Sequence, residues 1–364
     1  MSVVDEPVKA RTAGRATRPA PEDYLGRPWW HRAVLAVAAY AVCLLVFAAF
    51  AVAQGANAST LFSTMLNSSV LDWQTLQQTL IRSVPIVLAA LACTVPARAG
   101  LVNVGGEGQI MIGSVAAIGV GLGLHGRGGL VGWTLIALAG ALAGAVWCGI
   151  CGWLRVRLGA SESVTTLFFN FIAADVMLYA IYEVWRDGGA GSLPQTRPLA
   201  PEQMLPKIGS LDLTWAVPLT LLVVVVVWFL LTRTGWGFAL RVAGGNVEAA
   251  RRSGLPVRRL LLGSMAAGGL LAGLGGALNL MSVEGALRPG MTASFGYVAF
   301  LAAFVGGNKP FAVLGSAVLF SAIANSGNGL QLTEGLPGST VNVLLGLIVL
   351  TTLFVAGRRK EEFA

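Results

Sequence analysis

The sequence predicts an all-α integral membrane protein with about ten transmembrane helices, some short, broken or re-entrant, and both termini cytoplasmic. Three observations predict it. Charged residues are only 12% of the 364 and hydrophobic ones 55%, against about 25% charged in an ordinary soluble domain. The charges collect at the ends and in a few short segments. The apolar runs left between them reach roughly 20 residues, enough to cross a hydrocarbon core of about 30 Å as helices. The basic residues behind the formal charge of +8 flank those runs, as expected beside an anionic cytoplasmic leaflet. A soluble chain would need a core larger than its polar surface could cover. The same placement argues against nucleic acid as a partner, because no basic patch is set apart from the spans.

Residues 1–32 are polar, Pro-rich and basic and read as a disordered cytoplasmic segment. The first apolar run, Ala33 to Ala53, lacks a cleavage site at its exit and reads as a retained anchor. A polar stretch from Gln54 to Arg82 precedes a short second span, Ser83 to Ala97, interrupted by Pro85 and Pro96. The third and fourth spans are Ile110–Leu124 and Leu130–Leu154, the latter closed by Arg155 and Arg157. The fifth is Val164–Trp185. Residues 186–212 are polar and Pro-rich and form an external loop. The sixth span is Leu213–Leu231, followed by a basic segment, Thr232 to Arg259. Spans seven to ten are Leu260–Met281, Met291–Gly306, Phe311–Asn325 and Thr340–Ala356, so that residues 33–356 form one transmembrane domain and 357–364 a tail.

Orientation follows from the positive-inside rule. The first segment carries Lys9, Arg11, Arg15, Arg18, Arg27 and Arg32, and the segment after span six carries Arg233, Arg241, Arg251, Arg252, Arg258 and Arg259 against Glu248 alone. The 186–212 loop balances Arg186, Arg197 and Lys207 against Asp187, Glu202 and Asp212. Ten spans satisfy these assignments. The 47 glycines let helix backbones approach closely, which points to a packed bundle. Cys43, Cys93, Cys148 and Cys151 all fall inside apolar spans. The C-x-x-C of the last two has no His or second Cys pair beside it and reads as membrane packing rather than redox or metal chemistry.

Three constellations could carry function. The first is Asn103 to Gln109, a polar, Gly-rich stretch between two apolar runs. Irregular backbone at membrane depth is tolerated only where protein or a water-filled cavity covers it, and broken helices of this kind form solute sites. Glu107 then is a buried, functional carboxylate; alternatively the turn lies at the cytoplasmic surface and Glu107 is solvated. The second is Ser161 to Asn170. Ser161 is a candidate N-cap, and Thr166 and Asn170, four apart, share a face with Ala173 and Met177. That stripe either lines a cavity or bonds a neighbouring helix. Asp175 lies mid-span on another face and wants a partner. The third is Leu240 to Leu255, where Asn246 caps a short helix and Gly254 ends it. A small-residue helix there is a docking element or a plain connector.

At these residues the chain resembles a known family. Glu248-Ala249-Ala250 followed by Gly254, placed after span six between basic flanks, is similar to the coupling helix of bacterial ABC-importer permeases. The lead-in Arg241-Val242-Ala243-Gly244-Gly245-Asn246 resembles that of the sugar, nucleoside and branched-chain amino acid branch, and the likeness runs over about residues 80–356. Gly100-Leu101-Val102-Asn103-Val104-Gly105-Gly106-Glu107-Gly108-Gln109 resembles a segment of nucleoside permeases, with Val102 where Phe and Gly106 where Ala are usual. Gly306-Gly307-Asn308-Lys309-Pro310 and Asn328-Gly329-Leu330-Gln331 resemble the same branch, and the long basic N-terminus resembles the larger of its two permeases.

The resemblance implies a permease subunit of an ATP-driven importer in the bacterial cytoplasmic membrane, most similar to nucleoside carriers, with simple sugars as the alternative solute. It implies as partners an ATPase docked at Gly244, Gly245, Asn246, Glu248, Ala249, Ala250 and Gly254, a second, related permease, an extracytoplasmic binding protein and membrane lipid. Solute contact is expected at Asn103, Glu107, Gln109, Thr166 and Asn170, whose amide, hydroxyl and carboxylate groups suit ribose hydroxyls and base edges. No phosphate-loop motif is present, so the chain is expected not to be an enzyme and to hold no cofactor; ATP and Mg belong to the partner. An ion-coupled carrier would need more buried charge than Glu107 and Asp175 supply. An intramembrane hydrolase would need catalytic motifs that are missing.

Overall fold

The computed structural model describes residues 29–57, 59–189, 194–292, 294–333, 335–337 and 340–361. The expected disordered segment falls almost wholly outside them. The first helix, α1 (Trp29–Ala53), begins inside it, four residues before Ala33. After a short α2 (Leu61–Leu66) and a π-helical turn over Asn67–Leu71 comes α3 (Trp73–Ala97).

α3 corrects the second span. It is one helix of 25 residues, not a short segment from Ser83, and it runs through both Pro85 and Pro96. Asp72 starts it, accepting from the Gln74 and Thr75 amides, the usual work of an N-cap aspartate. The polar residues that suggested a loop are satisfied by protein. The Gln77 side chain accepts from the Asp212 amide at 2.7 Å, and Thr79 donates to the Ser69 carbonyl and accepts from the Asn325 amide. From Ser83 to Pro96 every residue is buried, so neighbours can make good the bonds that the prolines remove.

The chain then breaks over 98–105 and resumes as α4 (Gly106–Gly123), α5 (Gly129–Leu158) and α6 (Glu162–Tyr179), the last extended by a π turn to Val184. α7 (Ala216–Arg233) leads into two short helices, α8 (Gly235–Gly245) and α9 (Val247–Arg252). α10 (Val257–Asn279) ends in a π turn to Glu284 and a second break, before α11 (Phe295–Val305), α12 (Pro310–Thr333) and α13 (Thr340–Glu361). α13 therefore continues into the segment read as a tail. Among the described residues, six helices are long and apolar enough to cross a membrane, with shorter apolar ones at 37–53, 61–71, 295–305 and 340–352. α11 covers only 11 residues, about 16 Å at 1.5 Å per residue, and so is a half-span.

α3 and α10 form the buried centre, with 78% and 61% of their most apolar windows inside the protein. α5 packs on α10 backbone to backbone through facing small-residue pairs, Gly140/Gly144 and Gly269/Gly273. A Cβ on Gly269 would stand 2.1 Å from the Gly144 carbonyl oxygen, and one on Gly144 would stand 2.3 Å from the Gly269 oxygen. Gly269→Leu is therefore expected to leave little folded protein, read as loss of the monodisperse peak in detergent. Gly263→Leu on the same helix, where nothing lies within 4 Å, is expected to leave that peak intact.

The 186–212 loop is not free. Its backbone docks along the second break, Thr196 to Leu287, Leu199 to Gly285 and Leu205 to Met281. Gln203 donates to the Gly121 carbonyl at 2.7 Å, which ties the loop to the end of α4.

Candidate functional site

Both breaks meet at one place. Arg98 lies at the C-terminal end of α3 and its Nη2 donates to the Asn308 carbonyl, just past α11, at 2.9 Å. The loop tied to α4's C-terminus lies at the other end of α3, through Asp212 and Gln77. α4 and α11 thus run to opposite ends of the bundle from a common start, and their N-termini touch. A Cβ on Gly296 would sit 2.0 Å from the Glu107 amide nitrogen, so only glycine fits there.

Two helix N-termini, each worth about half a positive charge, would repel at this distance. Glu107 lies between them. It belongs to the first turn of α4, is 4% exposed, and accepts from the Thr292 hydroxyl and from the Gly296 amide at 2.6 Å. One carboxylate thus favours its own helix N-terminus and caps the opposing one. Of the two readings of Glu107, the buried one is what the structure shows.

The remaining residues of the first constellation hold the break itself. Asn103 and Gln109 exchange amide hydrogen bonds at 2.9 and 3.1 Å, and Asn103 also bonds the Ala92 carbonyl and the Gly105 amide. From α6, Asn170 takes the Gly108 amide at 2.8 Å and gives a hydrogen bond to the Val104 carbonyl at 3.0 Å. Thr166 accepts from the Val104 amide at 3.2 Å. The stripe Thr166, Asn170, Ala173, Met177 is buried as one face and bonds a neighbouring segment. Ser161 stands at the N-cap of α6 without a side-chain cap bond.

The structure thus brings Asn103, Glu107, Gln109, Thr166 and Asn170 together, all buried and all bonded to protein. Asn170→Ala would orphan one backbone donor and one acceptor at about 1–3 kcal/mol each. Its expected outcome is a thermal midpoint clearly below that of Thr165→Ala, a half-buried neighbour whose hydroxyl donates to the Ser161 carbonyl one turn back.

Sequence reasoning missed Thr292 and Gly296, nearly 190 positions away from Glu107. It also left Glu162 without a role. Glu162 pairs with Arg155 at 3.2 Å and accepts from the Val102 amide, linking α5, α6 and the break.

The same break carries the third constellation. Asn246 caps α9, accepting from the Ala249 amide at 2.9 Å, and Gly254 ends it at φ +78°, where a side chain would be strained. Ala250 is buried, while Val247, Glu248, Ala249, Arg251 and Arg252 are exposed. Glu248 and Arg252 pair one turn apart at 3.1 Å, a surface pair of small worth. Gly244 sits against the α3–α4 break: its Cβ would be 2.5 Å from the Arg98 carbonyl oxygen and 2.9 Å from the Gly100 nitrogen. Burial, and next the nearby charge of Arg241, lower the Arg98 guanidinium pKa from its usual range. Cys148 and Cys151 are buried free thiols packed with Leu101 and Met265.

A bundle with several apolar helices, two broken spans meeting at a buried carboxylate and a capped helix exposed at one end is a multi-pass membrane protein of the transporter class. The chain belongs to the family described as branched-chain amino acid transport system/permease component, whose model matches residues 75–353. It is thus a permease, a transport component rather than an enzyme.

The chain is 29% identical over 286 residues to the glucose ABC transporter permease protein TsgB13 of Haloferax volcanii, covering 76% of this chain and 75% of that one. It is 28% identical over 340 residues to the guanosine ABC transporter permease protein NupP of Bacillus subtilis, covering 91% and 95%. It is 26% identical over 278 residues to the nucleoside ABC transporter permease protein NupB of Lactococcus lactis, covering 73% and 75%. The latter two bacteria each have a second matching permease, NupQ and NupC. No solved structure matches the chain.

Proposed function

We propose that this permease carries nucleosides inward across a bacterial cytoplasmic membrane. A related second permease stands beside it, an ATPase lies beneath α9, and an extracytoplasmic protein delivers the solute. In this reading ten spans cross or enter the membrane, both termini are cytoplasmic, and ATP with its Mg sits on the partner. Residues 1–32 remain a cytoplasmic segment and 33–356 the transmembrane domain.

The observation that carries the proposal is the seat of Gly244 on the α3–α4 break. A helix with an exposed face, Glu248, Ala249 and the Arg251–Arg252 pair, is joined through Gly245 and Asn246 to the segment that ends at Glu107. Movement delivered from below is thus passed to the joint between the two half-spans. A two-state shift of the bundle then exposes the path to one side or the other, driven by the differential affinity of ATP and solute for the two states.

Asn103, Glu107, Gln109, Thr166 and Asn170 hold the joint closed in this conformation. We propose that their polar groups reach solute only when it opens. The nucleoside assignment draws on the likeness to NupP, which extends over 95% of that protein. A simple sugar is the second reading, favoured by the likeness to TsgB13.

Uptake of radiolabelled uridine, adenosine and ribose by cells with and without the gene separates the two. Loss of nucleoside uptake alone is the expected result. Loss of ribose uptake alone moves the solute to sugars, and no change in any of the three rejects both.

A further inference from the structure

α6 packs on α4 and α5 and leaves its opposite face outward. On that face Asp175 is exposed, and among the described residues none hydrogen-bonds or pairs with it. It is the fourteenth residue of the 162–184 span, about 20 Å along a helix about 34 Å long, and so close to the middle of the membrane. A carboxylate at that depth is costly against hydrocarbon and is found facing a bundle interior or a water-filled cavity.

No cation on the packed neighbours can reach it. α4 has no basic residue, and the basic residues of α5 are Arg155 and Arg157 in its last turn, beside the first turn of α6, where Arg155 is already paired with Glu162 at 3.2 Å. Among the described residues, then, nothing on the packed helices neutralises Asp175, and what meets it lies across the outward face of α6.

The residues around Asp175 are not an ordinary lipid face. Phe168, Phe171, Tyr179 and Tyr182 lie at i−7, i−4, i+4 and i+7 from it, all on one helical stripe, and all are exposed, by 61, 60, 64 and 44%. One carboxylate is thus flanked above and below by aromatic rungs. A carboxylate accepts hydrogen bonds from paired sugar hydroxyls, and aromatic rings stack on the flat face of a base.

We propose that the α6 stripe Phe168–Phe171–Asp175–Tyr179–Tyr182 is one wall of the water-filled solute path, closed on its far side by the second permease subunit. Asp175 meets the hydroxyls of a nucleoside-like solute and the neighbouring rings meet its base. The second subunit is the occupant across the path because water alone would leave the apolar rungs exposed, and lipid would meet the charge. The pairing of the Bacillus and Lactococcus relatives with a second permease supplies such a subunit. The proposal rests on the importer reading above.

The test uses the whole complex, with its ATPase, second permease and binding protein, in membrane vesicles. The four cysteines are at most 5% exposed, so background labelling is low. Asp175→Cys is expected to react with a charged, water-soluble methanethiosulfonate at least tenfold faster than Leu138→Cys, a control on the outward face of α5 that is 50% exposed. Added nucleoside is expected to slow the reaction. Equal, slow labelling of the two overturns the proposal, because Asp175 then faces lipid.

Asp175→Asn keeps the shape of the side chain and is expected to raise KM for nucleoside uptake tenfold or more, with the ATPase still co-purifying. Asp175→Leu is expected to abolish uptake in an assembled complex. Wild-type uptake by the leucine variant, or loss of the second permease from the asparagine variant with KM unchanged, overturns the assignment. Labelling reads water access whatever the solute. Failure of wild-type nucleoside uptake with fast labelling of Asp175→Cys would therefore remove the nucleoside reading and leave the path assignment standing.

Discussion

Glu107→Ala is expected to cost about 2–6 kcal/mol of stability, at about 1–3 kcal/mol for each of two buried donors left without an acceptor, and to abolish uptake. The substitution strands the Thr292 hydroxyl and the Gly296 amide, both bonded to this carboxylate. It also removes the negative charge between two helix N-termini, whose interaction with a partly buried charge reaches about 2 kcal/mol. Glu107→Gln keeps the shape and one acceptor, so it should fall between wild type and alanine, losing the dipole contribution and one charge-assisted bond. Thermal unfolding of the purified complex, run beside uptake, separates the two variants. An alanine variant as stable as wild type would mean that the helix ends are held apart by something other than this side chain.

The second large effect is expected at Gly244. Valine there places a side chain where its first carbon already lies 2.5 Å from the Arg98 carbonyl oxygen and 3.0 Å from the Ala99 carbonyl carbon. Overpacking of this kind costs typically 1–3 kcal/mol, and here the strain falls on the contact between α8 and the break. α8 must shift, and with it the register between α9 and the joint. The complex should assemble and hydrolyse ATP, yet lose at least tenfold in uptake and lose stimulation of hydrolysis by loaded binding protein. Gly245→Val is the control, because nothing lies within 4 Å of a Cβ at that position. If both variants transport equally, the Gly244 contact passes no motion.

Much of the architecture was legible from apolar run length. The spans at 129–158, 216–233 and 257–284 were read to within a few residues, because hydrocarbon-crossing helices announce themselves by composition. The α9 cap and stop were legible too, since Asn246 and Gly254 act within a few residues of their own backbone. The start of α3 was not legible. Gln77 and Thr79 look like loop residues until Ser69, Asp212 and Asn325, distant in sequence, are known to satisfy them.

The candidate site divides in the same way. Asn103, Glu107, Gln109, Thr166 and Asn170 were singled out because polar groups between apolar runs are costly unless employed. Their employment was not visible, because it depends on which backbone groups face them across the bundle.

By itself, the sequence determined that the chain enters a membrane many times, that the helix is broken near Asn103 and that 246–254 is a capped turn of helix. These follow from solvation of whole segments and from hydrogen bonds closed within a few residues. Only the tertiary structure decided that Glu107 joins two opposed helix ends, that Gly244 rests on Arg98 and that Asp175 is left facing outward. Each of those depends on contacts or exposure set by residues far apart in the chain, and local propensity carries no information about which distant backbone will arrive there.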